Sequence, residues 1–384
     1  MPFAGFRHLM FASAALTAAM AGAEDAAMVN KTGPWGELQV RVVYLEPPDN
    51  LLASVARPSA VTRWTFEQTT EQSVRESLAR VGVPVAVRDR LFSPVRMVVS
   101  KNNLVLLPEA EDLLALSVET RSALYAQLAS SEANEFQRDP VHILGGSVED
   151  WLVDTGFSPK LQGLFRGLLW RRGKALAFSD IPALLAACDG SDEFVAVLRA
   201  VSRVRGLVAE IKLPLTTSRD DFIAYWSAGG RNDDRLPFIT AMTRRRAPHT
   251  VDITQFLPTI PRGHIYSFPT ASQLLRPRPP DCHWTSLNFF EDEPNDLYLD
   301  PAKASEHLLS DYVAIDPPLR LGDVLVFLDD GQGLHSCVHV AADIVMTKNG
   351  ISSLAPWTLM TLQDLRDIYA RSPATRIQAY RRKQ

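Results

Sequence analysis

The segment 278–282, Arg-Pro-Pro-Asp-Cys, constrains this chain more than any other because it marks where an irregular stretch ends and a helix begins. Proline has no N–H to donate and biases the residue before it away from the helical conformation. Asp281 is therefore expected at the N-cap, with Leu287 and Phe290 on the apolar face of the following helix. Cys282 would be the first helical residue, where unpaired N–H groups and the helix dipole favour a thiolate. This position predicts a nucleophilic cysteine, which needs a base.

A downstream segment supplies the candidate base. Residues 321–328 are typical of a turn entering a buried strand, and a Gly-rich turn at 329–333 leads into a second strand near His335. Strand side chains alternate, so His335, Cys337 and His339 are expected on one face. A histidine on a strand facing the cysteine would take its proton. We predict His335 as the base, and His339 if the register differs.

These motifs together resemble a known family. Asp281-Cys282, then Leu321-Gly322-Asp323 ahead of Phe327, then His335 opening a strand is similar to the NlpC-type bacterial cell-wall cysteine peptidases, which have a papain-like fold. The resemblance covers only the last third of the chain. It implies that Cys282 is the nucleophile and His335 the base.

The same resemblance implies a third polar residue shortly after the histidine. That position falls near Thr347-Lys348-Asn349, and Asn349 is the side chain best suited to orient an imidazole. The chain has His283-Trp284 where the family usually has Ser-Gly after the cysteine, and His339 where it often has tyrosine. We assign Asp281, His283, Trp284 and His339 to substrate binding.

The expected reaction is acyl transfer without a cofactor. His335 would deprotonate Cys282, the thiolate would attack an amide carbonyl, and backbone N–H groups at the helix start would stabilise the oxyanion. The resemblance implies peptidoglycan stem peptides as the substrate, with cleavage near a γ-D-glutamyl bond. An alternative is a papain-like binding or structural module of the cell envelope that has lost catalysis, since His283-Trp284 would narrow the cleft.

The chain contains three cysteines, Cys188, Cys282 and Cys337, too few for a disulfide scaffold. An odd number leaves at least one free thiol unless two chains are cross-linked, and a catalytic Cys282 would explain a free thiol. A rival interpretation pairs Cys282 with Cys337 and would abolish catalysis. Zinc is a further alternative, with ligands drawn from Cys282, His283, His335, Cys337 and His339, but no C-x-x-C or H-E-x-x-H spacing occurs, and we predict no metal.

The N-terminus is typical of a secretory signal peptide. Arg7 and His8 precede an apolar run at 9–20, which is too short to span a bilayer, and Ala21-Gly22-Ala23 forms an A-x-A-like cleavage site. We therefore predict a signal peptide at residues 1–23 and a periplasmic or secreted protein. No other run is apolar enough for a transmembrane helix, so no stable membrane insertion is expected after cleavage.

Composition limits the function classes. The 384 residues are 46% hydrophobic and 22% charged, with a formal net charge of −4. A near-neutral balance argues against a dedicated nucleic-acid-binding protein. The expected partner, peptidoglycan or another peptide or amide substrate, is what the resemblance and the acyl-transfer reaction imply. The length predicts two domains.

We predict an α+β fold. Residues 34–245 would form a mostly helical N-terminal domain with a few strands and no assigned role, and residues 250–384 a papain-like domain in which the cysteine helix packs on an antiparallel sheet. In the N-terminal region, Thr69-x-x-Gln72 resembles a capping box, and Ser158-Pro159 starts a helix. A hairpin is predicted around residues 97–107, and a strand at 264–268 ahead of the cysteine.

Overall fold

The computed structural model describes residues 31–54, 58–100, 103–145, 147–244, 247–329, 331–369 and 374–383. The predicted signal peptide lies outside these residues. The described chain is mixed α+β, as predicted. None of its described helices combines the length and apolar character needed to cross a bilayer.

The helices are mostly short and are concentrated before residue 245. In chain order they are Asp49–Ser54 (α1), Glu71–Arg80 (α2), Val85–Leu91 (α3), Ala110–Leu114 (α4), Val118–Leu128 (α5), Glu135–Arg138 (α6), Val148–Leu152 (α7), Pro159–Gly167 (α8), Ile181–Ala186 (α9), Ser191–Ser202 (α10), Arg219–Ser227 (α11), Leu236–Thr243 (α12), Thr259–His264 (α13), Ala271–Leu274 (α14), Cys282–Leu287 (α15), Pro301–Asp311 (α16) and Leu362–Tyr369 (α17).

The strands form antiparallel sheets. They are Lys31–Gly33 (β1), Gly36–Leu45 (β2), Trp64–Phe66 (β3), Met97–Ser100 (β4), Asn103–Leu106 (β5), Val141–Ile143 (β6), Trp170–Arg172 (β7), Ala175–Phe178 (β8), Val204–Leu213 (β9), His249–Asp252 (β10), Tyr312–Ile315 (β11), Val324–Asp329 (β12), Gln332–Ala341 (β13), Ile344–Lys348 (β14), Trp357–Thr361 (β15) and Arg376–Arg382 (β16). The largest sheet has six strands in the order β11-β16-β12-β13-β14-β15, and a four-stranded sheet has the order β1-β2-β9-β10. Two smaller sheets have the orders β3-β5-β4 and β6-β8-β7.

Several local predictions are confirmed because they depend on neighbouring residues alone. Ser158 caps α8, with proline at the first helical position, and the 97–107 hairpin forms as β4 and β5. The cap of α2 is displaced by one residue from the predicted Thr69: Thr70 Oγ1 accepts a hydrogen bond from the Ser73 N–H at 3.2 Å. The strand predicted at 264–268 is wrong, since helix α13 ends at His264.

The apolar residues form two large cores whose membership crosses the predicted domain boundary. The first core draws on buried residues from Trp64 to Ala200. The second combines β2 and β9 with α15 and the six-stranded sheet, and joins Leu38 and Ile211 to Trp284 and Val338. The predicted ranges 34–245 and 250–384 therefore do not coincide with the two cores, because a long strand pair from the first range packs against the second.

Close backbone approach holds these sheets together at one point. A side-chain Cβ at Gly206 in β9 would collide with the hydroxyl of Thr358 in β15. Beside this contact, Arg205 pairs with the buried Asp364 of α17 at 2.6 Å. Glycine at 206 is therefore a packing requirement between the four-stranded and six-stranded sheets.

The Gly322-Asp323 turn has a structural role that accounts for its place in the motif. Gly322 adopts φ +87°, and a Cβ there would collide with the Phe290 ring. Asp323, which is 2% exposed, accepts hydrogen bonds from two nitrogens of Arg381 at 2.8 and 2.6 Å and from the Arg320 N–H at 2.7 Å. The turn thereby ties the start of β12 to the end of β16 and fixes the sheet beneath α15.

Candidate active site

The start of α15 forms as the sequence predicts. Asp281 is the N-cap, and its Oδ1 accepts the Trp284 N–H at 2.9 Å. Cys282 is the first helical residue, and its own N–H belongs to the first turn, which has no intrahelical acceptor. The Asp281 carboxylate also accepts a hydrogen bond from Arg278 at 3.3 Å. Asp281 is buried and acts on the helix backbone, so its observed contacts are those of a cap.

Cys282 is a buried thiol, 5% exposed, in a strongly ionising environment. Burial alone would raise its pKa, but the charge of His335, together with the electrostatic influence of the neighbouring His283, outweighs burial and lowers the pKa of Cys282 to about 5. A sulfur with this pKa is a thiolate at neutral pH and therefore a nucleophile.

His335 is fully buried on β13. Its Nε2 lies 2.9 Å from Thr347 Oγ1, and its ring stacks on Tyr369 with centroids 4.0 Å apart and planes inclined by 8°. Its Nδ1 has no hydrogen-bond partner among the described residues. One ring nitrogen is thus anchored and the other is left available to exchange a proton with Cys282.

Thr347, and not the predicted Asn349, is the residue that contacts the imidazole. Thr347 Oγ1 can donate onward to Asn349 Oδ1 at 3.5 Å, an oxygen that also accepts from the Tyr369 hydroxyl at 3.5 Å. If the threonine proton points to Asn349, then the Thr347 oxygen accepts from Nε2–H of His335. Asn349 therefore lies one hydrogen bond further from His335 than expected. This series of hydrogen bonds favours the His335 tautomer that is protonated on Nε2 and leaves Nδ1 free.

His283 places a second imidazole beside the sulfur. Ser336 Oγ donates to Ser286 Oγ at 3.0 Å, and its oxygen lies 3.0 Å from His283 Nδ1, which can donate to it. Burial alone would lower the pKa of His283, but the hydrogen bond and charge of Cys282 raise it to about 9. His283 therefore carries a proton opposite the thiolate at neutral pH, a role that its place beside the cysteine in the sequence does not reveal.

Lys348 is a further buried cation near the site. Its Nζ donates to the carbonyls of Gly350 at 2.8 Å and Ser352 at 3.1 Å and lies over the Trp357 ring. Burial lowers the pKa of Lys348 to about 8, against the opposing charges of Asp281 and Cys282. Sequence reasoning missed this residue because only its burial near the thiolate sets it apart from an ordinary strand-end lysine.

Two residues assigned to substrate binding lie in the interior instead. Trp284 is 1% exposed and packs against Trp357 and His264. The ring nitrogens of His339 lie 3.1 Å from the Arg320 carbonyl oxygen and 3.0 Å from that of Ala342. Both side chains are buried and occupied by internal contacts, and the alternative of His339 as the base has no support in these contacts.

The structure also bears on the two alternatives for the cysteines, a disulfide and a zinc site. Cys188, Cys282 and Cys337 are all unbridged, so the Cys282–Cys337 disulfide does not form. Burial and the neighbouring Cys282 charge raise the pKa of Cys337 far above its usual range. Within the described ranges, no group of three or more His, Cys, Asp or Glu side chains is placed to hold a metal ion.

A groove of about 520 Å³ lies beside the site, between α16 and the six-stranded sheet. His283 and Ser336 are part of its wall. The second imidazole of the site is therefore also the one that faces open space large enough for a ligand.

Comparison with protein-family profiles, with curated proteins and with solved structures found no match. The assignment of a function therefore depends on the chemistry of Cys282 and the groups around it.

Proposed function

We propose that this chain is a cysteine hydrolase that cleaves an amide bond by nucleophilic acyl transfer. The observation that carries the proposal is a helix-start sulfur whose pKa is lowered to about 5 beside two imidazoles, one of which is held by a third polar residue. A thiol ionised beside two imidazoles is the arrangement that nucleophilic catalysis by cysteine requires.

The proposed reaction begins when Cys282 gives its proton to Nδ1 of His335, which becomes an imidazolium, and the resulting thiolate attacks the amide carbonyl carbon. The carbonyl electrons move to oxygen, and the Cys282 N–H, which has no intrahelical acceptor, would donate to that oxygen. When the tetrahedral intermediate collapses, the C–N bond breaks and the leaving nitrogen takes a proton from the imidazolium of His335. An acyl thioester and a neutral His335 remain.

Water then completes the cycle. Neutral His335 accepts a proton from the water as its oxygen attacks the thioester carbonyl, and the C–S bond breaks to release a carboxylic acid. Thr347 holds Nε2 and keeps Nδ1 directed at the reacting groups, as the third member does in Cys-His-Asn sites. His283 stabilises the thiolate in the resting state.

The resemblance in the last third of the chain supports a more specific form of the proposal. An NlpC-type peptidase with a papain-like fold, exported by its signal peptide, would act on peptidoglycan stem peptides in the periplasm or outside the cell. The six-stranded antiparallel sheet beneath the cysteine helix is compatible with that architecture.

Mass spectrometry of purified peptidoglycan fragments tests the proposal directly. The wild-type chain and a Cys188→Ala control should release the same new fragments, and Cys282→Ala should release none. His335→Gln should lower kcat about 10²–10⁴-fold, the usual contribution of a general acid–base group.

Two results would count against hydrolysis. Cleavage that persists in Cys282→Ala would exclude this sulfur as the nucleophile. A wild-type chain that binds peptidoglycan sacculi in a sedimentation assay but cleaves no fragment would favour the alternative, an inactive papain-like binding module.

A further inference from the structure

The groove beside the candidate site has an apolar interior. Helix α16 forms one wall with Leu308 and Leu309, and the sheet forms the opposite wall with Val324, Val326 and Leu328. A volume of about 520 Å³ is sufficient for an extended aliphatic chain. Burying such a chain against these side chains is favourable because it removes apolar surface from water.

The charge in the groove has a single sign. Among its described lining residues there is no aspartate or glutamate, whereas His283 and Arg376 are both present. The Arg376 side chain is exposed and has no ion pair or hydrogen bond with any other described residue. An arginine without a partner beside an apolar groove fits a carboxylate, which guanidinium binds through two parallel hydrogen bonds.

We propose that this groove binds an aliphatic segment of the substrate that carries a carboxylate, with the carboxylate at Arg376. The scissile bond then lies on the His283 side, because His283 belongs to both the groove wall and the environment of Cys282. This inference rests on the proposed function for the chemistry at the sulfur and adds the chemical class of the group that the site recognises.

Binding to the full-length Cys282→Ala chain, measured by isothermal titration calorimetry, separates recognition from turnover. The probes are decanedioic acid monoamide, its six-carbon homologue hexanedioic acid monoamide, and decanamide, which lacks the carboxylate. The ten-carbon monoamide should bind about tenfold or more tightly than decanamide, because a charge-assisted hydrogen bond contributes about this much. Affinity should rise up to about fourfold per methylene between the two monoamides.

Matched variants on one helix locate the binding. Ser305 lines the groove and is exposed, so Ser305→Trp should fill the groove and weaken binding of the ten-carbon monoamide at least tenfold. Glu306 is the next residue of α16 and does not line the groove, so Glu306→Trp should bind like the parent. Equal binding by the two tryptophan variants, both folded by circular dichroism, would overturn the proposal.

A second pair tests the carboxylate. Arg376→Gln should lower the affinity for the ten-carbon monoamide to that for decanamide. Arg366→Gln, on the exposed surface of α17, should leave the affinity for the monoamide unchanged. Binding without preference for the carboxylate in the parent would also overturn the inference. Groove-dependent binding without any hydrolysis by the wild-type chain would retain the recognition site and reject the hydrolase. Hydrolysis that Ser305→Trp leaves unchanged would retain the hydrolase and reject the recognition site.

Discussion

At the scale of single residues, Cys282 and Cys188 provide an internal comparison. The imidazoles of His335 and His283 lower the pKa of Cys282 to about 5, whereas burial, assisted by Glu193, raises the pKa of Cys188. Because only the thiolate is alkylated, the two cysteines should respond differently to pH even though Cys188 is the more exposed.

We predict that iodoacetamide labels Cys282 at a constant rate from pH 7 to about pH 6 and at half that rate near pH 5. The sign follows from the lowered pKa, since the thiolate is lost only when the pH falls through the folded value. Cys188 should slow about tenfold per unit over the same range. Peptide mass spectrometry after timed labelling measures both rates in one sample. His283→Gln should move the Cys282 half-point upward, and identical pH profiles at the two cysteines would contradict the assignment.

The residue scale also shows how far sequence reasoning reached. Asp281 and Cys282 were predictable because a cap and a helix start depend on a few adjacent residues. The interior positions of Trp284 and His339 were not, because each depends on partners brought in by distant segments. From sequence alone, a polar or aromatic residue near a nucleophile is readily assigned to substrate binding. Only the tertiary structure shows whether its side chain is instead packed in the interior.

At the scale of elements, strand β14 divides its residues between two environments. Thr347 contacts His335, which lies against Phe327 and Tyr369, whereas Lys348 lies over Trp357 on the other face of the sheet. Asn349 follows the last strand residue and therefore cannot extend the alternation toward His335. Asn349 was predicted because an amide side chain is well suited to orient an imidazole. Strand β14 ends at Lys348, however, and leaves Thr347 as the residue that contacts His335. No sequence signal predicts the end of a strand to within one residue.

This arrangement gives a prediction for the orienting residue. Thr347→Val keeps the shape and removes the hydroxyl, so kcat on the cleaved substrate should fall about tenfold or more while KM changes little. Thr347→Ser should restore most of the loss, because it restores the oxygen. Asn349→Ala, one hydrogen bond further away, should have a smaller effect than Thr347→Val. A larger loss in Asn349→Ala would instead support Asn349 as the direct orienter.

At the scale of the whole molecule, the core beneath the site is assembled from both ends of the chain. The α+β class and the cysteine helix on an antiparallel sheet were predictable from local patterns and periodicity. The packing of β2 and β9 against the second core was not predictable, because an alternating strand pattern does not specify which element the strand packs against.

The Asp323–Arg381 contact, which joins β12 to β16, gives a stability prediction. Asp323→Ala removes three hydrogen bonds from a buried position and should lower the free energy of unfolding by about 2–4 kcal/mol. Glu306→Ala, which removes only an exposed, solvent-screened ion pair with Lys303, should leave the free energy of unfolding nearly unchanged. Chemical denaturation followed by tryptophan fluorescence compares the two variants. Equal losses would contradict the structural role given to the Gly322-Asp323 turn.

The three unbridged cysteines carry a consequence for how the protein tolerates oxidants. A thiolate reacts with peroxide faster than a thiol does, so we expect Cys282 to form a sulfenic acid before Cys188 or Cys337. Cys337 stays protonated because burial holds its proton, so it is a poor resolving thiol, and a second oxidation to the irreversible sulfinic acid meets little competition. The ionisation that would make this sulfur a nucleophile thus also makes it the thiol most sensitive to irreversible oxidation.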